Sequence, residues 1–284
     1  MRTDETARGV IRALTVVGPV TLLTSLAYYF GWTATHASAR YLGIDESILG
    51  FSTQDYLLRS ITALFWPLCV GLGLAALALQ AHGAVAASIA RDRTRTTLVI
   101  SLSLVGASMV LYGVLALGQR WTVDGFSIAP LSLTLGIGLV SYAVAIRNRP
   151  SPRSTEFQAV SDTPPLTVVC ISLLLAAGLF WQVAEWATAV GVGATQALIA
   201  DLSRQPAVTV FAVKRLNLEG PGVTMTQVDQ TPGAYGYRYT GLRLLFRAND
   251  RYFMLSDRWS PDAGVLFVVN DTPDVRLQFS PGTG

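Results

Sequence analysis

Long apolar stretches alternate with short polar ones as far as residue 187, after which the spacing of apolar positions changes. The apolar stretches are 13–32, 61–81, 97–117, 127–146 and 166–187. A helix rises 1.5 Å per residue, so about 20 apolar residues cross roughly 30 Å of hydrocarbon. Apart from Glu185, near the end of the fifth stretch, none of them contains an Asp, Glu, Lys or Arg. Beyond residue 187 the fifth helix is expected to run on toward Leu202, with Gly191 and Gly193 as weak points, and Pro206 stops it. The period then turns to two: Val275, Leu277 and Phe279 alternate with Arg276, Gln278 and Ser280, as in a half-buried strand. Strands are also expected at 208–213, 235–246, 251–255 and 265–269, with Ala248-Asn249-Asp250 as a tight turn. Tyr235, Tyr237 and Tyr239 share one strand face, whereas Leu242, Leu244 and Phe246 fall on the other. One extra residue would bring both triads together, so a β-bulge is expected at Thr240-Gly241, where glycine removes the steric cost. The pattern as a whole predicts an α-helical multi-pass membrane bundle of five transmembrane helices (residues 1–202). A small, mostly antiparallel all-β extracytoplasmic domain (203–284) follows it.

The connection 33–60 is the least loop-like. Ser52 and Asp55 approximate a capping box, so a helix should start there and run into the second span. Tyr41, Ile44, Ile48 and Phe51 follow 3–4 spacing and suit an interfacial or re-entrant piece, with a ligand-binding or gating lid as the alternative. The linker 147–165 carries Pro150, Pro152, Pro164 and Pro165 without periodicity and reads as a strap. Small residues recur four apart at Gly71/Ala75, Ser103/Ala107, Ser132/Gly136 and Ser172/Ala176, spacing that lets helices approach closely in lipid.

Charge turns this pattern into a topology. Arg2, Arg8, Arg12, Arg91, Arg93, Arg95, Arg147, Arg149 and Arg153 fall on one side of the five stretches, and only Arg40, Arg59 and Arg120 on the other. Short loops rich in Arg and Lys stay cytoplasmic. The expected N-terminus is therefore cytoplasmic and the β-domain outside, in a bacterial plasma membrane. Trp32, Trp66, Trp121, Trp181 and Trp186 all fall on the outer side, where indoles suit the headgroup level. Ala37-Ser38-Ala39 has the form of a signal-peptidase site, but the first apolar run is longer than such peptides carry and ends in aromatics. The composition agrees: 51% of residues are hydrophobic and only 14% charged, against about 25% charged in soluble chains. The net charge of +3 follows from topology and calls for no nucleic-acid partner.

Candidate chemistry is sparse. The two histidines, His36 and His82, fall at opposite ends of their spans, and Cys69 and Cys170 lie within apolar stretches. This argues against Ser–His or Cys–His nucleophiles, a metal site or any cofactor, and no Walker, G-x-G-x-x-G or H-E-x-x-H motif occurs. The polar positions within the spans are Thr24, Gln80 and Glu185. By helical rise Glu185 lies about 28 Å past residue 166, between Trp181 and Trp186, which places it at the interface rather than in the hydrocarbon. Arg238, Arg243 and Arg247 are candidate contacts for a partner or anion on the β-domain, weighed against a solvated strand face balanced by Asp250, Asp257 and Asp262.

Two stretches carry a resemblance. Tyr41-Leu42-Gly43-Ile44-Asp45 with Asp55-Tyr56-Leu57-Leu58-Arg59-Ser60 is the first. Tyr239-Thr240-Gly241-Leu242-Arg243-Leu244-Leu245 with Arg251-Tyr252-Phe253-Met254-Leu255 and Trp259 is the second. Together they resemble a group of multi-pass membrane proteins of unknown function from GC-rich actinobacteria, which implies a bundle and carries over no catalytic residue. The expected function is non-enzymatic: a membrane protein displaying its β-domain for sensing or for assembly with a membrane or cell-envelope protein. A channel or transporter subunit with a path between the helices is the alternative.

Overall fold

The computed structural model describes residues 2–88, 92–119, 127–148, 164–228, 231 and 234–282, the side chains of 2–16 lying outside the description. Arg120, Trp121 and Asp124, and residues 149–163 of the proline-rich linker, also lie outside the described residues. Five helices come first: α1 (Arg2–Tyr41), α2 (Thr53–Ser88), α3 (Asp92–Gln119), α4 (Ala129–Arg147) and α5 (Pro165–Ala200). Among the described residues four helical segments are long and apolar enough to cross a membrane: Thr53–Gly83, Arg95–Ala116, Ala129–Arg147 and Leu166–Ala200. Their outward faces carry large exposed apolar side chains such as Phe65, Leu72, Leu104, Leu115 and Leu173. That is what a helix facing lipid shows, and it makes the chain compatible with an integral membrane protein. Compactness divides the chain differently from composition: one unit joins Met1–Ile61 to Val190–Gly284, and Thr62–Ala189 forms the other.

In the Thr62–Ala189 unit, α4 is the central helix. Gly106 of α3 faces Gly136 of α4 so closely that a Cβ on Gly136 would lie 2.7 Å from the Gly106 carbonyl oxygen. Gly113 meets Ser132 and Leu133 further along, and Gly178 of α5 meets Thr134. Of the small-residue pairs expected from spacing, Ser132/Gly136 takes part in these contacts, whereas a Cβ on Gly71 would meet nothing within 4 Å among the described residues. Both ends of α4 are closed by neighbours' side chains. Gln182 of α5 accepts from the Leu131 N–H at 2.9 Å, and Arg95 of α3 donates to the Ile146 and Arg147 carbonyls at 3.1 and 3.0 Å. Helix termini leave such groups unsatisfied, and hydrocarbon offers them no water.

The other unit is built on an antiparallel sheet. Its strands are β1 (Ala207–Ala212), β2 (Thr224–Gln227), β3 (Tyr237–Ala248), β4 (Arg251–Ser256), β5 (Leu266–Asn270) and β6 (Val275–Ser280), in the order β5-β4-β3-β1-β6, with β2 on the first half of β3. The expected bulge is present: Val208 pairs with Leu242 and Val210 with Tyr239, so Thr240 and Gly241 together oppose one residue of β1. Gly241 has φ +81°, and a Cβ there would meet the Gly222 carbonyl. The bulge puts Tyr237, Tyr239, Leu242 and Leu244 on one face, packed with Val208, Val210, Met254 and Phe267. A second bulge, not expected, lies between Leu244 and Phe246 and corrects the reading of the triads. It turns Phe246 to the opposite face, against Phe253 at 4.7 Å between ring centroids. β4 is therefore buried on both faces, Met254 on one and Phe253 and Leu255 on the other. Asn249 and Asp250 close the β3–β4 hairpin at φ 46° and 54°, the double positive φ of a tight two-residue turn. β2 was not expected; all four of its residues are exposed, so it carries no apolar alternation.

Gly241→Ala should destabilise the unit by about 1–2 kcal/mol or more through its positive φ alone. Gly241→Asn, which tolerates that φ, should fare no better because its Cβ still meets the Gly222 carbonyl. Thermal unfolding followed by circular dichroism reads both.

Candidate functional site where the helix ends meet the sheet

The site lies within the Met1–Ile61 and Val190–Gly284 unit, and its frame is a set of close backbone contacts. A Cβ on Gly31 of α1 would meet the Tyr56 carbonyl of α2, and one on Gly191 of α5 would meet the Ala34 carbonyl of α1. Gly191, expected as a weak point, is instead the point of closest approach within a helix that runs on to Ala200. Hydroxyls tie the crossing: Ser38 donates to the Gly191 carbonyl at 2.8 Å, Thr195 to the same carbonyl at 3.0 Å, and Thr35 to Gly31 at 2.8 Å.

The connection 33–60 is largely helix, and the first helix runs nine residues past the apolar stretch that ends at residue 32. α1 continues to Tyr41, and the chain turns at Gly43 (φ +77°) into a short 3-10 helix, Glu46–Leu49. Tyr41, Ile44, Ile48 and Phe51 thus fall in different local structures and do not form one amphipathic helix. Asp45 caps the 3-10 helix by accepting from the Ser47 N–H at 2.9 Å. The capping box at the start of α2 is reciprocal: the Ser52 N–H donates to Asp55 at 2.8 Å and the Asp55 N–H to Ser52 at 3.3 Å.

Glu46 fastens this segment to α1. His36 Nδ1 donates to one carboxylate oxygen at 2.6 Å and Trp32 Nε1 to the other at 3.2 Å, the two rings stacking 5.1 Å apart. The hydrogen bond from His36 holds the Glu46 carboxyl below its usual range, and burial opposes it. Residues 42–51 then press against the sheet. Leu42 packs with Leu245, Leu255 and Trp259, Ile44 and Leu49 pack with Phe253, and Tyr41 lies 6.4 Å from Trp259. The Asn249 amide at the hairpin tip donates to the Gly50 carbonyl. Residues 41–51 and 245–259 are therefore the two sides of one interface.

A cavity of about 230 Å³ remains beneath it, lined by Thr35, Ser38, Leu49, Phe51, Arg59 and Phe246 among others. Phe51 lies 5.4 Å from Phe246, and the Arg59 guanidinium stands 4.2 Å over the Phe51 ring. The Thr35 and Ser38 protons are already given to helix carbonyls. The cavity thus offers hydroxyl lone pairs, aromatic faces and one guanidinium. No side chain in it is placed as a nucleophile beside a base.

No family model, curated protein or solved structure matches the chain.

The candidate residues read from the sequence fall elsewhere. Arg243 is nearly enclosed and bonds Asp257 at 2.5 Å, with its Nη1 donating to the Ser203 and Gln205 carbonyls at 2.9 and 3.1 Å. Arg247 bridges Asp250 and Asp271, each at 2.9 Å, and lies over Tyr252. Arg238 is exposed and makes no ion pair among the described residues. Thr24 donates to the Val20 carbonyl of its own helix at 2.9 Å. Glu185 accepts from Trp181 at 3.2 Å. Gln80, near the His82–Tyr142 hydrogen bond, and Glu185, near Gln182–Leu131, flank opposite ends of α4. The 11 steps from Leu131 to Tyr142 separate those ends by about 16 Å along the helix, so Gln80 and Glu185 form no common site. Glu46 and Arg59 were missed as site residues; at sequence level they read only as loop charges.

Two outcomes check this site. Because the folded Glu46 carboxyl is held low, its contribution is full above its ordinary pKa of 4.5 and is lost as pH falls through the lowered folded value. Melting curves of the wild type should therefore fall on the acid side of that range, and Glu46→Gln should flatten the slope and lower stability by about 1 kcal/mol. Arg243→Ala should lower stability by about 1–2 kcal/mol, whereas Arg238→Ala should stay within about 0.5 kcal/mol, both read by urea unfolding.

Proposed function

We propose that the chain is a five-span protein of the bacterial plasma membrane, with its N-terminus cytoplasmic and its sheet outside, that holds the sheet toward an envelope partner or stimulus without performing catalysis. The observation that carries this reading is the clamp between helix ends and sheet. The last turns of α1, the end of α5 and the 42–51 segment are all packed into the unit that contains the sheet. A tethered domain on a loose linker would need none of these contacts. A domain whose position relative to its helices must be kept, so that an event at the sheet reaches the spans, needs all of them.

Supporting the topology are the nine arginines on one side of the stretches against three on the other, and the tryptophans on the opposite side. The first apolar stretch, 13–32, supplies the fifth span in this reading. Supporting a partner role is Arg238, the one of the three candidate arginines whose charge is not already taken by a carboxylate of the described residues. The same reading sets the chain beside the actinobacterial multi-pass group that its two stretches resemble.

A reporter pair fused after Gly284 tests the topology. Alkaline phosphatase, which folds only outside, should be active, and a cytoplasm-dependent fluorescent protein should be dark. The reverse pattern would remove the outer placement of the sheet. A photo-crosslinking residue at position 238 should then give a discrete adduct in native membranes, and its absence would remove the partner contact.

A further inference from the structure

A second cavity, within the Thr62–Ala189 unit, has a form that the proposed function does not use. It is an open groove of about 670 Å³ lined by Arg95, Thr96, Val99, Ile100, Ser103, Leu104 and, from α4, Arg147. This volume is within the usual range for a small-molecule site. The α3 residues recur at 3–4 spacing and so form one stripe. Polarity changes along it, with Arg95 and Thr96 at the end and mainly apolar side chains beyond. The rise over nine steps from Arg95 to Leu104 is about 14 Å, close to half of the roughly 30 Å hydrocarbon thickness. The candidate spans begin at Arg95 in α3 and end at Arg147 in α4, so in the proposed topology, on which this inference rests, both guanidinium groups stand at the same membrane boundary. Arg95 is held in place by its bonds to the Ile146 and Arg147 carbonyls. Arg147 is exposed and makes no ion pair among the described residues, and among them no Asp or Glu lines the groove.

Two cations at a membrane boundary, above an apolar slot one leaflet deep, match one kind of occupant. We propose that this groove holds a single anionic phospholipid, with its phosphate between Arg95 and Arg147 and an acyl chain along Val99, Ile100, Ser103 and Leu104. Guanidinium suits a phosphate because its planar fork presents paired N–H donors. Basic pockets between membrane helices bind anionic headgroups on the same physical grounds. A free phosphate would satisfy the arginines and leave the slot empty, and a zwitterionic lipid would fill the slot and lack the net charge.

The test uses the full chain in mild detergent, offered phosphatidylglycerol or phosphatidylcholine, with bound lipid counted by native mass spectrometry. Phosphatidylglycerol should be retained about fivefold or more over phosphatidylcholine. Arg147→Gln should bring the two to parity, and Arg147→Lys should keep the preference, which separates lost charge from lost fold. Ser103→Phe, filling the slot, should release phosphatidylglycerol with both arginines present. Inorganic phosphate at equal concentration should not compete. Parity in the wild type, an unchanged preference in Arg147→Gln, or displacement by inorganic phosphate would each overturn the proposal, the last in favour of a soluble-anion site.

Discussion

The Met1–Ile61 and Val190–Gly284 unit depends on two places where helix backbones touch with no side chain between them: Gly31 against Tyr56, and Gly191 against Ala34. Where two helix backbones meet with no side chain between them, their association rests on close packing and on hydrogen bonds across the gap. Glycine supplies both, since it removes the Cβ and leaves its carbonyl within reach. The Gly191 carbonyl accepts from Ser38 across the crossing and from Thr195 one turn along its own helix. With α1 and α5 fixed at that separation, their ends form a ledge, and the sheet's Phe253 and Leu255 pack onto it through Ala39, Leu198 and Leu202.

What was legible in the sequence follows from whether a pattern of a given length occurs nowhere else. Twenty apolar residues have one common explanation, so the helices could be read. The bulge at Thr240-Gly241 could be read because the tyrosine and leucine triads have opposite parity and a glycine stands between them. The second bulge could not, because Leu244-Leu245-Phe246 is apolar on both faces and parity there says nothing. The end of α1 was hidden for a related reason. Residues 33–40, Thr-Ala-Thr-His-Ala-Ser-Ala-Arg, are too polar for a span and have no apolar stripe, yet their small side chains are what the crossing with α5 requires. Glu46 was illegible because its partners stand 10 and 14 residues earlier, on a helix whose extent was not known.

Residues 41–44 and 245–259 lie about 200 residues apart in the chain, and local propensity does not connect them. Tyr41, Leu42 and Ile44 lie against Leu245, Phe253, Leu255 and Trp259, and the hairpin tip reaches Gly50 through Asn249. A side chain changed on one side of such an interface leaves a gap or a clash on the other. The candidate cavity beneath it inherits its walls from both stretches, through Leu49 and Phe51 on one side and Leu245 and Phe246 on the other.

Arginine serves one structural purpose in both units, and that purpose bears on how the cationic positions divide. Arg95 closes the last carbonyls of α4, and Arg243 closes those of Ser203 and Gln205 where α5 gives way to the sheet. In each case one guanidinium reaches two carbonyls at the end of a helical segment, where intrahelical donors run out. One ammonium offers three donors from a single point, whereas a guanidinium presents its donors in a plane wide enough for adjacent carbonyls. A guanidinium fixed in this way is costly to move, so it makes a preorganised site only if a second, uncommitted cation stands beside it. Arg147 stands so beside Arg95. Arg243 has Asp257 beside it instead, so the charge at the Ser203 junction is already compensated, whereas Arg147 is exposed and makes no ion pair among the described residues.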